Sequence, residues 1–162
     1  MNMILSADLN WGIGYKNELL FHFKADMRYF KEKTINNTVI MGYNTLVSLP
    51  NSQPLVNRRN IVLAPEGTEI GGVEIANSIE QALALVKNTP PEQVFIIGGE
   101  SVYKQFLPLA TKIYVTRFYA AKTADTYFTN LDNLKDWQKV KQSEPQSENG
   151  VDFSFDVYEK SC

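Results

Sequence analysis

Val94-Phe95-Ile96-Ile97-Gly98-Gly99-Glu100-Ser101-Val102-Tyr103 reads as a buried strand that runs into two glycines and then a helix. Four consecutive apolar residues without polar alternation suit a strand covered on both faces. Val102, Phe106 and Leu107 continue at helical spacing until Pro108 ends the run. The pattern recurs on either side. Met3–Leu9 opens the chain as a buried strand, Thr38–Met41 is a β-branched apolar run ending at Gly42, and Asn60–Ala64 stops at Pro65. A short helix fits Asn44–Leu49, closed by Pro50, and Gly71-Gly72 turn the chain into Val73–Ala76. Ser78 caps another helix, with Gln81 at the capping-box position and Ile79, Ala82, Leu83 and Val86 on one face. Lys112–Tyr119 is a strand, and Gln138–Gln142 and Asp152–Tyr158 flank a polar turn through Pro145 and Gly150. Apolar strands alternating with helices predict a parallel sheet covered on both faces, and the last two strands, with no helix between them, predict an antiparallel hairpin at one edge. The expectation is an α/β fold in a single domain over residues 1–162: a mainly parallel central sheet, helices on both faces and a C-terminal antiparallel hairpin.

Phe23-Lys24-Ala25-Asp26-Met27-Arg28-Tyr29-Phe30-Lys31-Glu32 sets one carboxylate on an apolar helix face. With Asp26 at the origin, Phe30 lies at about 40°, Phe23 at about 60°, Met27 at about 100° and Tyr29 at about −60°. Lys24, Arg28, Lys31 and Glu32 fall on the opposite arc. An acid among aromatics is costly to ionise, so its pKa is raised and suited to proton delivery. The alternative is an N-cap role for Asp26 with Ala25 still in a loop, although Tyr29 stands where a capping box needs Glu or Gln.

Composition removes several function classes. A net charge of −2 and a pI of about 5.5 do not suit a nucleic-acid or anionic-membrane surface. The single cysteine, Cys162, excludes an intramolecular disulfide and a cysteine-based zinc site. The opening residues lack a signal peptide's basic flank and cleavage site, and no apolar run nears the roughly 20 residues of a membrane span. The expected compartment is the reducing cytoplasm. His22 is the one histidine, too few for a multi-histidine metal site, and it reads as structural or solvent-facing. There is no G-x-S-x-G, no Walker motif and no G-x-G-x-x-G after the first strand. What remains is chemistry carried by a cofactor, with one ionisable group assisting.

Gly98-Gly99 and Gly42 both follow buried strands and precede helices. Each is a tight turn or a place where backbone approaches a ligand, with free helix N–H groups available to phosphate. Open parallel sheets bind ligands at the carboxyl ends of their strands, where both glycine sites fall.

Taken in order, the motifs resemble those of bacterial-type dihydrofolate reductases from Met3 to Glu159. They are Gly12-Ile13-Gly14 with Asn17 and Leu19; Ala25-Asp26 with Phe30; and Val39-Ile40-Met41-Gly42 with Thr45 and Ser48-Leu49. Arg58 with Asn60-Ile61-Val62-Leu63, Ile97-Gly98-Gly99 with Val102-Tyr103, and Thr116 with Asp125-Thr126 complete the set. The resemblance implies hydride transfer from NADPH to C6 of dihydrofolate while N5 gains a proton, in one-carbon metabolism, by a monomeric antifolate target with no metal. It implies that Asp26 hydrogen-bonds the pterin amino group and ring amide and raises the proton affinity of N5, with water as the immediate donor. Thr116 would buttress Asp26, and Phe21 would stand beside the chemistry. Ile4, Leu5, Met27, Phe30, Leu49, Leu55 and Ile97 would form the apolar slot, and Arg58, otherwise an ordinary surface arginine, would pair with the substrate's glutamate.

For the cofactor, the resemblance implies contacts from Ser6, Ile13, Gly14, Asn17 and Leu19 early in the chain, and from Gly42, Tyr43, Asn44 and Thr45 after the second strand. Leu63, Ala64, Pro65 and Asn77 would follow, then Ile97, Gly98, Gly99, Glu100, Ser101, Val102 and Tyr103, and finally Thr126. Departures from the family pattern are concentrated. Leu20-Phe21 stands where Pro-Trp is usual, and Ser6 where alanine is usual. Tyr43, Ala64-Pro65, Asn77 and Ser101 replace cations or hydroxyls that meet the cofactor's phosphates, while Glu66 suits a ribose hydroxyl. NADPH is the expected donor, with NADH as the alternative. Two other classes compete: a reductase of another nitrogen heterocycle, and a binding module without turnover.

Overall fold

The computed structural model describes residues 1–161; Cys162, read above as excluding a disulfide, lies outside them. The chain lays down β1 (Asn2–Ala7), β2 (Gly12–Tyr15), β3 (Glu18–Leu19), α1 (Lys24–Thr34), β4 (Thr38–Gly42), α2 (Tyr43–Ser48), β5 (Arg59–Leu63) and β6 (Glu74–Ala76). It continues through α3 (Ile79–Leu85), β7 (Val94–Gly98), α4 (Glu100–Phe106), β8 (Lys112–Phe118), β9 (Thr126–Tyr127), β10 (Trp137–Gln142), β11 (Gln146–Glu148) and β12 (Val151–Lys160). Among the described residues the main sheet has nine strands in the order β10-β12-β8-β1-β7-β4-β5-β6, with β11 also on β12. The six strands from β8 to β6 run parallel. At the other edge β12 is antiparallel to β8 and to β10 as expected, but the stretch between β10 and β12, expected to be a polar turn, holds β11, which makes the tight hairpin with β12.

Continuous burial in the central strands follows from cover on both faces. Met3, Ile40, Ile61 and Ile113 belong to one apolar cluster, while Ile4, Val39, Met41 and Val62 alternate into another. Ser78 caps α3, its side chain accepting from the Gln81 N–H at 3.0 Å. Among the described residues no helix is long and apolar enough to cross a membrane.

Two sequence expectations change. The Asn10–His22 loop contains β2 and β3, which join β9 in a separate small sheet. Strands of two to four residues with glycine at alternate positions carry no apolar period, and their partner β9 lies far along the chain. Helix α1 begins at Lys24, and Phe23 is its extended N-cap residue with no side-chain capping bond. Asp26 is therefore the third helical residue rather than the N-cap.

Candidate active site

The carboxyl ends of the parallel strands form a row. Gly42 of β4 is in register with Leu63 of β5, Leu63 with Ala76 of β6, and Met41 with Gly98 of β7. Ser6 of β1 is in register with Thr116 of β8. α1 lies across the latter end and delivers Asp26 to it. Thr116 is buried and donates its Oγ1 hydrogen bond to Asp26 Oδ1 at 2.6 Å. Burial, opposed by the Thr116 hydrogen bond and helped by the Glu148 charge, pushes the Asp26 carboxyl up to about 6. A carboxylate held in that range exchanges protons readily near neutral pH.

Around this pair Ile4, Phe30, Leu49, Leu55 and Ile97 share one apolar cluster, which makes a slot with an acid at one side. Tyr29, on the flank of α1, stacks on Phe155 at 4.1 Å. Two expected slot residues sit differently. Leu5 alternates to the opposite face of the sheet, into the cluster of Met3 and Ala7, so only its backbone can reach the slot. Met27 is 58% exposed, since α1 turns only a narrow stripe to the sheet and Met27 lies about 100° from Asp26; it stands at the rim.

Arg58 donates from Nε to the Val56 carbonyl and from Nη1 to Thr34 Oγ1, each at 3.0 Å. No carboxylate pairs with it among the described residues, which leaves its remaining N–H groups for an external anion. Arg59, its neighbour, is fully engaged. It forms a bidentate pair with Glu74 and donates to the Leu85 carbonyl.

The nucleotide side is a cradle with little room for side chains. A Cβ on Gly98, where φ is +132°, would stand 3.2 Å from Thr45 Oγ1, and one on Gly42 would stand 3.1 Å from Val102 Cγ2. Gly42 and Gly99 are the N-cap residues of α2 and α4, and neither supplies a side-chain cap, so the first-turn N–H groups remain for a ligand. This donor set fits a dinucleotide's pyrophosphate. Tyr103, in the first turns of α4, is buried and donates its hydroxyl to the Ile4 carbonyl at 2.8 Å, tying the cradle to the slot.

The small sheet forms the rim. Gly14 of β2 pairs with Leu19 of β3 and Thr126 of β9, Ile13 is half-buried beside it, and Asn17 Nδ2 donates to the Asn44 carbonyl at 3.1 Å. The Glu100 carboxylate is taken by the Tyr127 N–H at 2.6 Å, an engagement within the protein where a cofactor contact was expected. At the far end of the row Tyr43, Pro65, Asn77 and Ser101 are exposed and Ala64 is buried. None of the five carries positive charge.

Phe21 is buried in an aromatic cluster, stacked on Phe118 at 4.4 Å, with the Lys122 ammonium 4.4 Å from its ring centroid. It brings no hydrogen-bonding atom to the site. Lys122 also donates to the Leu20 carbonyl at 2.8 Å, so one amine holds both unusual residues.

The family model described as dihydrofolate reductase matches residues 1–160. The chain belongs to the dihydrofolate reductase family. It is 34% identical to the dihydrofolate reductase of Staphylococcus haemolyticus over 99% of this chain and 95% of that one. It is 38% identical to the dihydrofolate reductase type 3 of Salmonella typhimurium over 88% and 86%. The solved dihydrofolate reductase from Enterococcus faecalis, complexed with NADP(H) and RAB-propyl, superposes with a TM-score of 0.88 at 30% identity, over 99% of this chain and 96% of that one. The central, mostly parallel sheet with its antiparallel edge is the architecture of this dihydrofolate reductase neighbour.

Several supports of the site were missed in the sequence. Asp8 is fully buried and accepts from the N–H groups of Asn10, Gly12 and Lys122, holding the first loop. An aspartate two residues before a turn is a readable Asx signal. Glu148 accepts from the Lys24 and Ala25 N–H groups at 2.8 and 3.3 Å. No local signal marks a cap that arrives from 124 residues away.

Proposed function

We infer that this chain reduces 7,8-dihydrofolate to 5,6,7,8-tetrahydrofolate with NADPH, supplying reduced folate to one-carbon metabolism. The observation that carries this reading is the Asp26–Thr116 pair at the side of an apolar slot, facing the glycine-lined strand ends. NADPH, when bound, supplies the hydride that C6 of the substrate accepts. The protein's part is to bind, orient and manage one proton. Asp26 holds the pterin amino group and ring amide, and its negative charge raises the proton affinity of N5, which takes its proton from water. Thr116 fixes the carboxylate's orientation. The slot of Ile4, Phe30, Leu49, Leu55 and Ile97 grips the ring, with Met27 closing its rim, and excludes bulk water. Arg58 pairs with the glutamate carboxylate. Gly42, Gly98 and Gly99, with the first turns of α2 and α4, receive the pyrophosphate.

The cation-free far corner supports a second donor. With Tyr43, Ala64, Pro65, Asn77 and Ser101 lining it and Glu66 close in sequence, none of the residues expected to meet a 2′-phosphate is an arginine or lysine, so NADH is used alongside NADPH. Arg59, the nearest candidate to fill the gap, is held by Glu74. The chain works as one domain over residues 1–162, as a monomer, in the cytoplasm. The test is a spectrophotometric assay of nicotinamide oxidation with dihydrofolate. Dihydrofolate-dependent oxidation of NADPH is expected; cofactor binding without turnover would make the chain a binding module, and turnover only with another heterocycle would reassign its substrate.

A further inference from the structure

We propose that Glu148 is a positioning residue for Asp26: it clamps the first turn of α1 through two backbone N–H groups and holds a second negative charge beside the half-buried acid. This rests on the reading of Asp26 given above. Lys24 and Ala25 are the first two residues of α1 and Asp26 is the third, and α1 has no side-chain cap of its own. The Glu148 carboxylate takes that place, one oxygen on each N–H, at 2.8 and 3.3 Å. Its own backbone is paired in the sheet. It closes β11 opposite Val151, and the turn between them is Asn149-Gly150 with φ of 51° and 77°, the backbone of a tight hairpin. A two-residue turn thus fixes the carboxylate that fixes the helix end.

The clamp has an electrostatic consequence. An uncapped helix N-terminus favours a nearby carboxylate's charged form. Glu148 cancels that influence and adds repulsion, so both effects favour protonated Asp26. The other groups at Asp26 are the Thr116 hydroxyl on β8, which favours the charged form, and Tyr29 on α1. Tyr29 is pushed up to about 12 by burial first, then by Tyr114, Asp26, Asp156 and Glu32, and stays neutral. His22, Lys24 and Arg28, the basic side chains nearest in sequence, are exposed to solvent.

The experiment titrates the Asp26 carboxyl by 13C NMR in the full chain and records the hydride-transfer rate against pH, for wild type, Glu148→Gln and Glu148→Ala. Both variants lose the charge, so in both the Asp26 midpoint should fall by about half a pH unit. The lost charge lowers the proton affinity of N5 as well, so the descending limb of the rate profile should also move to lower pH, a fall of about threefold at a fixed pH. A residue that only braces the fold would scale the whole profile down without moving it. Glu148→Ala, which keeps no acceptor for the two N–H groups, should lose Tm as well. An unchanged Asp26 midpoint in both variants overturns the proposal. A lowered midpoint with an unmoved rate profile overturns the assignment of Asp26 to the chemistry, and the role of Glu148 falls with it.

Discussion

Asp26 and Asp156 lie on opposite faces of one sheet, and their surroundings differ in kind. Asp26 meets Thr116, whose neighbour across the ladder is Phe155, and Asp156 is the next residue of β12, turned the other way. Asp156 is 1% exposed and closed in by partners. Gln142 donates to Tyr119, the Tyr119 and Ser154 hydroxyls meet, Ser154 donates to Asp156 Oδ1, and the Lys139 ammonium stands 3.5 Å from Oδ2. Asp26 has one hydroxyl, a nearby second carboxylate, and no cation paired with it among the described residues. Asp156 Oδ2 has no hydrogen-bond partner and is answered by the Lys139 ammonium alone, while Oδ1 takes the Ser154 hydroxyl. The half-buried Asp26, denied a cation, is costlier to ionise, and its carboxyl is pushed up to about 6. The two adjacent arginines repeat the contrast: Arg59 is paired with Glu74, while Arg58 is oriented but free to meet a ligand.

The largest effect should come from Asp26→Asn. Turnover at neutral pH should fall by about 10²–10⁴-fold, because the amide keeps hydrogen bonds but loses the charge that favours N5 protonation. The same variant should be more stable. A carboxyl that titrates at about 6 when folded and near 3.8 when unfolded binds more protons folded, so stability is lost as pH rises through that window. Above it the loss is about 3 kcal/mol, and Asn should recover roughly that at pH 7. Thermal melts should show a gain of about 6–12 °C. A folded Asn variant that melts no higher than wild type would show that Asp26 carries no cost of ionisation in the folded state and erase the contrast.

Arg58→Leu should raise KM for dihydrofolate by about 10–100-fold with little change in kcat, since the lost ion pair is made equally in ground and transition states. A truncated pterin lacking glutamate should be handled alike by wild type and variant. Arg59→Leu should do the reverse, lowering stability and leaving KM alone.

Lys139→Met tests the other face. It strands a buried carboxylate, so it should destabilise by about 1–3 kcal/mol, the partial exposure of Lys139 tempering the loss. Kinetic constants of the folded fraction should match wild type. A change in kcat would couple the Asp156 network to the site.

The smallest effect should come at the cation-free corner. Tyr43→Arg should tighten NADPH by about 1–2 kcal/mol and leave NADH nearly unchanged. A wild-type preference for NADPH above roughly a thousandfold, about 4 kcal/mol, would show that backbone N–H groups alone recognise the 2′-phosphate.

What the sequence made legible follows the same physics. The central strands β1, β4, β5 and β7 were readable, because burial on both faces writes itself as an unbroken apolar run such as Val94–Ile97. Asp26 was readable because a lone acid breaks a helical apolar stripe, and the glycine pair because it sits at a strand end. The small sheet was not: its pairing of Gly14 with Thr126 is nonlocal and its strands carry no period. Nor was the opposite facing of Leu5 from Ile4, since a strand buried on both sides does not say which side is the site. Glu148 and Lys122 act through backbone groups far along the chain, and Arg58 and Arg59 are identical residues that only their partners distinguish.

The central claim is that the charge on Asp26 drives N5 protonation, and single-turnover hydride transfer followed against pH in wild type and Asp26→Asn tests it most directly. The wild-type rate should decline as pH rises, because N5 must gain a proton before C6 can accept the hydride. The Asn variant should be slower by about two orders of magnitude or more at pH 7 and recover toward low pH, where solvent protonates N5 unaided. A folded Asn variant that matches the wild-type rate at pH 7 and follows the same profile would contradict the account.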